Sequence, residues 1–276
     1  FNKFMRYTFK ITVGMIAIVL ICNFLGLTEE NIVYREDGSI RSAMGFSHPN
    51  TFGYLILLTY FEYIYIHKDK FSKKMLFVIL PAIILINYFC DSRTSMIILI
   101  LLSLFVLFRT HTLEKLFEQR FIKTFITHSF IILTLLTFFC VYLYNSDNEI
   151  GLKINELLSG RIYWISNLMD QYGINLFGHN IRLIGQKQAA LEGISPVYLD
   201  NGYFYILLKY GLCLFLVFAL AYKKVIKYFY KNKDYVIILI LFLLSIYCLM
   251  ENIIFNVSFN AFLLVFSVLI FRSKKT

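Results

Sequence analysis

The sequence has few charged residues. Only 16% of its 276 residues are Asp, Glu, Lys or Arg, whereas 59% are hydrophobic and the mean hydropathy is +0.68. A soluble domain rarely exceeds about half apolar composition, so an ordinary soluble domain is excluded. The sequence instead predicts an integral membrane protein, and its 29 Phe and 20 Tyr suit lipid-facing surfaces and interfacial belts.

The sequence also lacks the motifs of several enzyme classes. It contains no Walker A sequence, no GxSxG elbow, no HExxH and no Cys/His cluster with metal-ligand spacing. Asp147 and Glu149 are the nearest approach to a metal-binding acidic pair, and their spacing in a loop is a weak signal, so we expect no metal and no cofactor. The five cysteines lie within or at the ends of apolar runs, which predicts buried free thiols and no disulfide framework.

The first residue is Phe1 and not Met, so we expect further helices upstream of this sequence. A membrane-spanning helix needs about 20 apolar residues. We predict an all-α membrane bundle of about eight transmembrane helices, forming one domain over residues 1–276. The apolar runs that carry this prediction are Phe9–Leu27, Thr51–Ile66, Met75–Cys90, Ser95–Phe108, Phe125–Tyr144, Phe204–Tyr222, Tyr235–Met250 and Ile253–Phe271.

The basic residues are sorted by connection. Nineteen of the 27 Lys and Arg residues fall in the two tails and in alternate connections between the runs. The positive-inside rule therefore predicts that both termini are cytoplasmic and that the long loop at residues 145–203 is extracytoplasmic. Since the net charge of +10 is distributed in this way and not gathered on one face, we do not expect a nucleic-acid partner.

The long loop is the most informative part of the chain. It holds seven of the 13 glycines and the only tryptophan, Trp164. Loops of this length are functional or disordered, and its aromatic and aliphatic content argues against disorder. Residues 150–169 follow helical periodicity and predict an amphipathic helix on the membrane surface. Arg161 lies on its apolar face, where it either snorkels to a lipid headgroup or, if that face covers the mouth of a cavity, points into it. A helix break at Gly160 would also free the arginine to turn.

Two short segments combine structural and functional interpretations. In Gly45–Gly53, Asn50 or Thr51 caps the following helix and Gly53 allows close packing, whereas His48 supplies an imidazole that titrates near neutral pH. In Asp91–Thr94 the two charged residues form an interfacial pair, or Arg93 holds a phosphate group near the outer interface.

Other candidates lie in or near the long loop. Asp200 either caps the sixth apolar helix or acts as a base, and His179 is either a turn residue or a second candidate base. Glu251 is placed to pair with an outer arginine, and Arg182 adds positive charge near the membrane surface. Because a planar guanidinium matches phosphate oxygens and stays charged in a low dielectric, we expect arginine to be the electrophilic group.

The order of these motifs resembles the O-antigen polymerase and ligase family of bacterial membrane proteins, in particular the Wzy-type capsule and O-antigen polymerases. The resemblance covers roughly residues 45–211. Its elements are Ser-His-Pro-Asn-x-x-Gly at 47–53, Ser-Arg-Thr at 92–94, Ser-Gly-Arg-x-x-Trp at 159–164, Leu-Phe-Gly at 176–178 and Asp-Asn-Gly-Tyr at 200–203. Two departures are the residue pair Gly178-His179, where members often have a second glycine after one residue, and the small number of helices.

The resemblance implies a membrane glycosyltransferase of the bacterial cell membrane. It would join undecaprenyl-pyrophosphate-linked oligosaccharide repeat units at the outer face and release undecaprenyl pyrophosphate, with a flippase and a chain-length regulator as partners besides membrane lipids. Arg93, Arg161 and Arg182 are then expected to bind pyrophosphate. His48, Asp200, Glu251 and His179 are candidates for the catalytic base, and Asn50, Trp164 and Tyr203 are expected to contact the glycan. A ligase of the same family and a polysaccharide flippase are the alternatives.

Overall fold

The computed structural model describes residues 1–34, 38, 40–70, 73–107, 110–252, 255–257 and 259–271. Within these residues the protein is helical apart from one two-stranded hairpin, which confirms the all-α prediction. The helices α1 to α14 are Asn2–Phe24, Pro49–Ile66, Leu76–Leu85, Arg93–Leu107, Thr110–Glu118, Arg120–Thr127, Ser129–Asn145, Glu149–Leu157, Arg161–Tyr172, Gln186–Glu192, Gly202–Lys209, Gly211–Lys231, Tyr235–Tyr247 and Val268–Phe271.

Shorter elements complete the chain. A five-residue π-helix, Ile86–Cys90, extends α3, and 3-10 turns cover Lys68–Lys70, Lys73–Met75 and Ala261–Ser267. Strands β1 (Ile32–Tyr34) and β2 (Ile40–Ser42) pair antiparallel, with Val33 opposite Arg41.

The lengths of the helices determine how many of them are able to cross a membrane. Among the described residues, α1 is the one helix long and apolar enough to cross a bilayer, and the number rises to three if the bent pairs α4–α5 and α6–α7 each count as one span. Within the described residues the other apolar runs are also largely helical, but their helices are shorter or interrupted: a break at Tyr210 divides the sixth run, and Pro81 lies inside α3. Phe108 of the fourth run and Ile253, Ile254 and Ser258 of the eighth lie outside the described residues. The prediction of about eight spans is therefore not confirmed by helix length.

The chain divides into two compact units: Phe1–Arg120 with Lys233–Leu243, and Phe121–Asn232 with Leu244–Thr276. In the first unit α2 packs against α1 and α4, and 12 of the 18 residues of α2 are buried. Gly53 permits this packing, because a Cβ atom there would lie 2.6 Å from the Cβ of Ser92. The expected close-packing role of Gly53 is thus confirmed.

The second unit is built on α7. The Phe130 ring, near the start of α7, packs against the rings of Tyr203 and Phe215 at centroid distances of 4.9 and 5.4 Å. Helices α8 and α9 pack against the other end of α7. Gly151 makes this possible, since a Cβ atom there would lie 2.5 Å from the backbone carbon of Leu143. The long loop at residues 145–203 belongs to this unit and is ordered, with three helices of its own.

Candidate functional site

The turn Asp200-Asn201-Gly202 is attached to the segment that follows α13. The Asn201 side chain donates to the carbonyl of Leu249 at 2.9 Å, and the Gly202 N–H donates to the carbonyl of Cys248 at 2.7 Å. A Cβ atom on Gly202 would lie 2.7 Å from the Phe255 ring, so only glycine allows this approach. These contacts join the two separate stretches of sequence that form the second unit.

Asn201, and not Asp200, caps the helix that follows. Its side-chain oxygen accepts from the N–H of Phe204 at 3.1 Å. The prediction that Asp200 is the cap is therefore wrong, because the chain places the amide one residue later in the cap position. The Asp200 carboxylate is left for another partner.

The amphipathic helix predicted over residues 150–169 is broken. Helix α8 ends at Leu157 and α9 begins at Arg161, because Ser159 and Gly160 both take positive φ angles, 54° and 77°. Glycine adopts this conformation freely, and serine does so at a cost. The break at Gly160 is therefore present, and it frees Arg161 from a continuous helical face.

Arg161 then joins three parts of the chain. Its Nε donates to the carbonyl of Met250 at 3.0 Å, and Nη1 donates to the carbonyl of Leu158 at 3.1 Å. Nη2 donates to Glu251 Oε1 at 3.2 Å, and Nε lies 3.6 Å from Asp200 Oδ2. We call Arg161, Asp200 and Glu251 the arginine–carboxylate cluster.

The two carboxylates of this cluster differ in exposure. The side chain of Glu251 is 11% exposed and that of Arg161 16%, whereas Asp200 remains 38% exposed. Burial raises the pKa of the Asp200 carboxyl above its ordinary value, and the Arg161 guanidinium offsets part of that rise. Asp200 is therefore the accessible acid–base group of the cluster, while Glu251 is its more deeply held anchor.

Aromatic side chains lie beside the cluster. The Trp164 ring meets the Tyr198 ring edge to face, at a centroid distance of 5.4 Å. Trp164 follows Arg161 by one helical turn and Tyr198 precedes Asp200 by two residues. Burial, and the Asp200 carboxylate, raise the pKa of Tyr198. Trp164 is half-buried, so a glycan-contacting role for it stays a prediction.

Tyr203 does not suit its predicted role. Its side chain is fully buried, and its hydroxyl donates to the carbonyl of Ser245. The prediction that Tyr203 contacts a glycan is wrong for this conformation, because the ring lies in the core against Phe130 and has no surface to offer.

His179 and Arg182 lie in the same unit and do not join the cluster. The backbone N–H of His179 donates to the carbonyl of Leu208 at 2.9 Å, and its Nε2 is buried with no hydrogen-bond partner in the described part of the chain. Arg182 is 64% exposed and pairs with Glu192 at 2.7 Å. Its expected role as a third pyrophosphate ligand is unsupported by this position.

In the first unit, His48 caps α2. Its backbone is extended, and its Nδ1 accepts from the N–H of Asn50 at 3.1 Å. The prediction that Asn50 or Thr51 is the cap is wrong, because Pro49 already occupies the first helical turn and the cap falls before it. Nδ1 as an acceptor leaves the proton of a neutral His48 on Nε2.

Sequence reasoning missed Arg41. This arginine on β2 is buried at 6% exposure, its Nε donates to the carbonyl of Cys90 at 2.8 Å, and its Nη2 donates to the side chain of Asn50. It thus connects the hairpin, the start of α2 and the segment just before Arg93. Its place in a short segment ahead of the Ser-His-Pro-Asn motif was the available signal.

Arg93 is the predicted site arginine of the first unit. Its side chain is 55% exposed, and its Nε lies 3.9 Å from Asp91 Oδ2, so the expected pair is present and loose. Asp91 has a positive φ of 38°, which turns the chain sharply between the π-helix and α4. The guanidinium is therefore accessible at the first residue of α4.

Comparison of the chain with protein-family models, with curated proteins and with solved structures finds no match.

Proposed function

We propose that the protein is a polytopic membrane glycosyltransferase that joins lipid-pyrophosphate-linked oligosaccharide units at the extracytoplasmic face of the bacterial cell membrane. The observation that carries the proposal is the arginine–carboxylate cluster. Three residues were singled out from the sequence for one reaction, and the structure has the carboxylates of two of them, Asp200 and Glu251, 3.6 and 3.2 Å from the guanidinium of the third, Arg161. A merely connecting loop has no need for this convergence.

The proposed membrane topology has about eight spans, with the two termini inside and the arginine–carboxylate cluster outside. Support comes from the distribution of basic residues and from the apolar side chains that the second unit exposes. On α7 and α12 these include Leu135, Phe139, Val217 and Leu220, at 56–63% exposure. Such surfaces are costly in water and favourable in a bilayer.

The proposed reaction needs a base and a stabilised leaving group. Asp200 removes the proton from an acceptor hydroxyl, whose oxygen forms a new bond to the anomeric carbon of the donor sugar. The bond from that carbon to the pyrophosphate oxygen breaks, and the electron pair leaves with undecaprenyl pyrophosphate. A burial-raised pKa makes Asp200 a stronger base than an ordinary aspartate.

Charge balance couples the two steps. With both carboxylates ionised, the arginine–carboxylate cluster carries one positive and two negative charges, which opposes the approach of a further anion. Protonation of Asp200 removes one negative charge as the pyrophosphate develops its own. Arg161 retains two N–H groups without a partner among the described residues, and these are donors suited to phosphate oxygens. Placed positive charge of this kind stabilises the transition state.

Arg93, in the first unit, is proposed as a further phosphate ligand. Its side chain is 55% exposed at the first residue of α4, so a phosphate group can reach the guanidinium. Arg41 holds the carbonyl of Cys90 and so supports the turn from which Arg93 projects.

The test is turnover of a purified lipid-linked repeat unit, with product length read on a gel. Arg161→Ala and Arg93→Ala should each lower the rate roughly 100-fold or more. Lys153→Ala, which removes an exposed cation from α8 in the same loop, is the matched control and should leave the rate within about twofold.

The products separate the alternatives. A ladder of repeat units supports a polymerase, whereas a single transfer to a different acceptor would identify a ligase. Unchanged polymer length and rate in both arginine variants would refute the assignment of these residues.

A further inference from the structure

The second unit contains a basic cavity away from the arginine–carboxylate cluster. It has a volume of about 510 Å³ and lies between α6, the start of α7 and the end of α12. No acidic residue of the described part of the chain lines it. Its lining includes Lys123, Thr124, His128, Lys227, Tyr230 and Lys231. Three ammonium groups around one cavity favour an anionic occupant.

Local sequence spacing builds this cavity. Lys227 and Lys231 are four residues apart, so they lie on one face of α12, and both are exposed. On α6, Lys123 is half-buried with its ammonium 4.9 Å from the centre of the Tyr230 ring. That ring contact holds the Lys123 ammonium at the cavity wall, while the ammonium groups of Lys227 and Lys231 remain at the cavity mouth.

The start of α7 adds a further feature for an anion. The Nδ1 of His128 donates to the carbonyl of Thr124 at 2.9 Å, because a carbonyl only accepts, so this N–H is not available to a ligand. His128 is also the residue before α7, and no side chain caps the first N–H groups of that helix. The positive end of a 17-residue helix dipole therefore faces the same region as the lysines.

Apolar surface begins next to the cavity. Ser129 and Tyr222 share a hydrogen bond at 3.0 Å, and the Phe130 and Phe218 rings lie 5.2 Å apart, so the start of α7 packs against α12. Beyond this contact, α7 exposes Leu135 and Leu136, while α12 exposes Val217 and Leu220. Along this surface, the cationic cavity is thus followed by the exposed apolar faces of α7 and α12.

We propose that this cavity binds the phosphate group of an anionic phospholipid, with the lipid chains lying along α7 and α12. A free phosphate ion shares the headgroup chemistry, but it has no use for the adjoining apolar surface. In the topology proposed above, the site faces the cytoplasmic leaflet. The binding does not depend on the proposed polymerase reaction.

A general excess of lysine near a membrane would also attract anionic lipid, and a matched pair of variants separates the two explanations. Lys227→Gln with Lys231→Gln removes two charges from the cavity. Lys223→Gln with Lys224→Gln removes the same charge from the same helix outside the cavity lining. Since Lys227 and Lys231 are exposed, their loss leaves the core intact, and thermal unfolding checks this.

The experiment measures retention of phosphatidylglycerol and phosphatidylcholine by the purified, delipidated full chain in native mass spectrometry. We expect the wild type and the Lys223/Lys224 variant to retain phosphatidylglycerol selectively. The Lys227/Lys231 variant should bind it roughly 30-fold more weakly, as the loss of two lysine contacts implies. Thr124→Glu, which adds a negative charge to the lining and removes no lysine, should have a similar effect.

Three outcomes would overturn the proposal. Equal loss in the two lysine variants would show a diffuse charge effect. Equal retention of the two lipids by the wild type would show that the headgroup charge is not recognised. Displacement of phosphatidylglycerol by millimolar inorganic phosphate would assign the cavity to free phosphate.

Discussion

Arg161 is held by partners from widely separated parts of the chain. Its carboxylate partner Glu251 lies 90 residues away and is only 11% exposed. Removing one member of a buried ion pair leaves the other uncompensated in a low dielectric. The stability of the second unit should therefore depend on this side chain.

We predict that Arg161→Ala lowers the free energy of unfolding by about 3 kcal/mol, the range seen when a buried pair loses one partner. Arg182→Ala is the control, because it also breaks an Arg–Glu pair but an exposed one, and should cost less than about 1 kcal/mol. Chemical unfolding in detergent measures both. Similar losses for the two variants would contradict the buried character of the Arg161 pair.

Asp200 makes stability depend on pH in a definite direction. Its folded pKa is raised by burial, whereas its unfolded pKa is about 4. The folded state then binds more protons between the two values, so this group's contribution to stability is greatest below about pH 4 and falls as the pH rises through the folded pKa. Asp200→Asn should flatten the fall. The check is the melting temperature measured across pH for both proteins; a steeper fall in the variant would oppose the assigned direction.

Among the helices, α11 depends on a cap that is also a tertiary link. Asn201 caps α11 and donates to the carbonyl of Leu249, whereas Asn148 caps α8 through a local bond to the N–H of Ile150. Asn148→Ala should cost about 1 kcal/mol, the usual value of a helix cap. Asn201→Ala should cost about 1 kcal/mol more, because it also leaves the part-buried carbonyl of Leu249 without this donor.

Denaturant titration of the two asparagine variants measures this difference directly. An equal loss in both would mean that the link from Asn201 to Leu249 contributes nothing to stability.

The break between α11 and α12 holds a second close contact. Gly178 has a φ of 79°, and a Cβ atom there would collide with the backbone of Lys209. Gly173 also has a positive φ, 66°, but a Cβ atom there meets nothing within 4 Å. Gly173→Ala should cost about 1–2 kcal/mol for the left-handed backbone alone. Gly178→Ala should cost clearly more, and melting temperatures of the two variants measure the difference; equal shifts would show that the loop yields without cost.

For the molecule as a whole, the proposed topology makes a labelling prediction. Cysteine at position 177, where Phe177 is 82% exposed, should react in intact cells with a membrane-impermeant maleimide. Cysteine at position 224, which is exposed on α12, should react after the membrane is permeabilised. Both are placed in a background whose five native cysteines are serine. Labelling of position 224 in intact cells would show that the second unit has the opposite orientation to the one proposed.

Part of this protein follows from local pattern. Composition and apolar periodicity specify helices at each run, since burial in a helix needs apolar residues along the chain and little else. The sequence also identifies Gly53, Arg93 and Arg161 as candidate residues. A glycine within an apolar helix and an arginine next to apolar residues both stand out in the local sequence. Helix lengths were less accessible, because the breaks at residues 159–160 and 210–211 depend on backbone conformations that neighbouring segments stabilise.

Contacts between residues far apart along the chain do not follow from local pattern. The sequence does not indicate that Arg161 meets Asp200 and Glu251 on one guanidinium, that Asn201 and His48 are the caps, or that Arg41 holds the carbonyl of Cys90. A buried polar group such as Arg41, Asn201 or Glu251 must find a partner once water is excluded. Which partner it finds is set by the packing of elements far apart along the chain, and local residue preference carries no record of that choice.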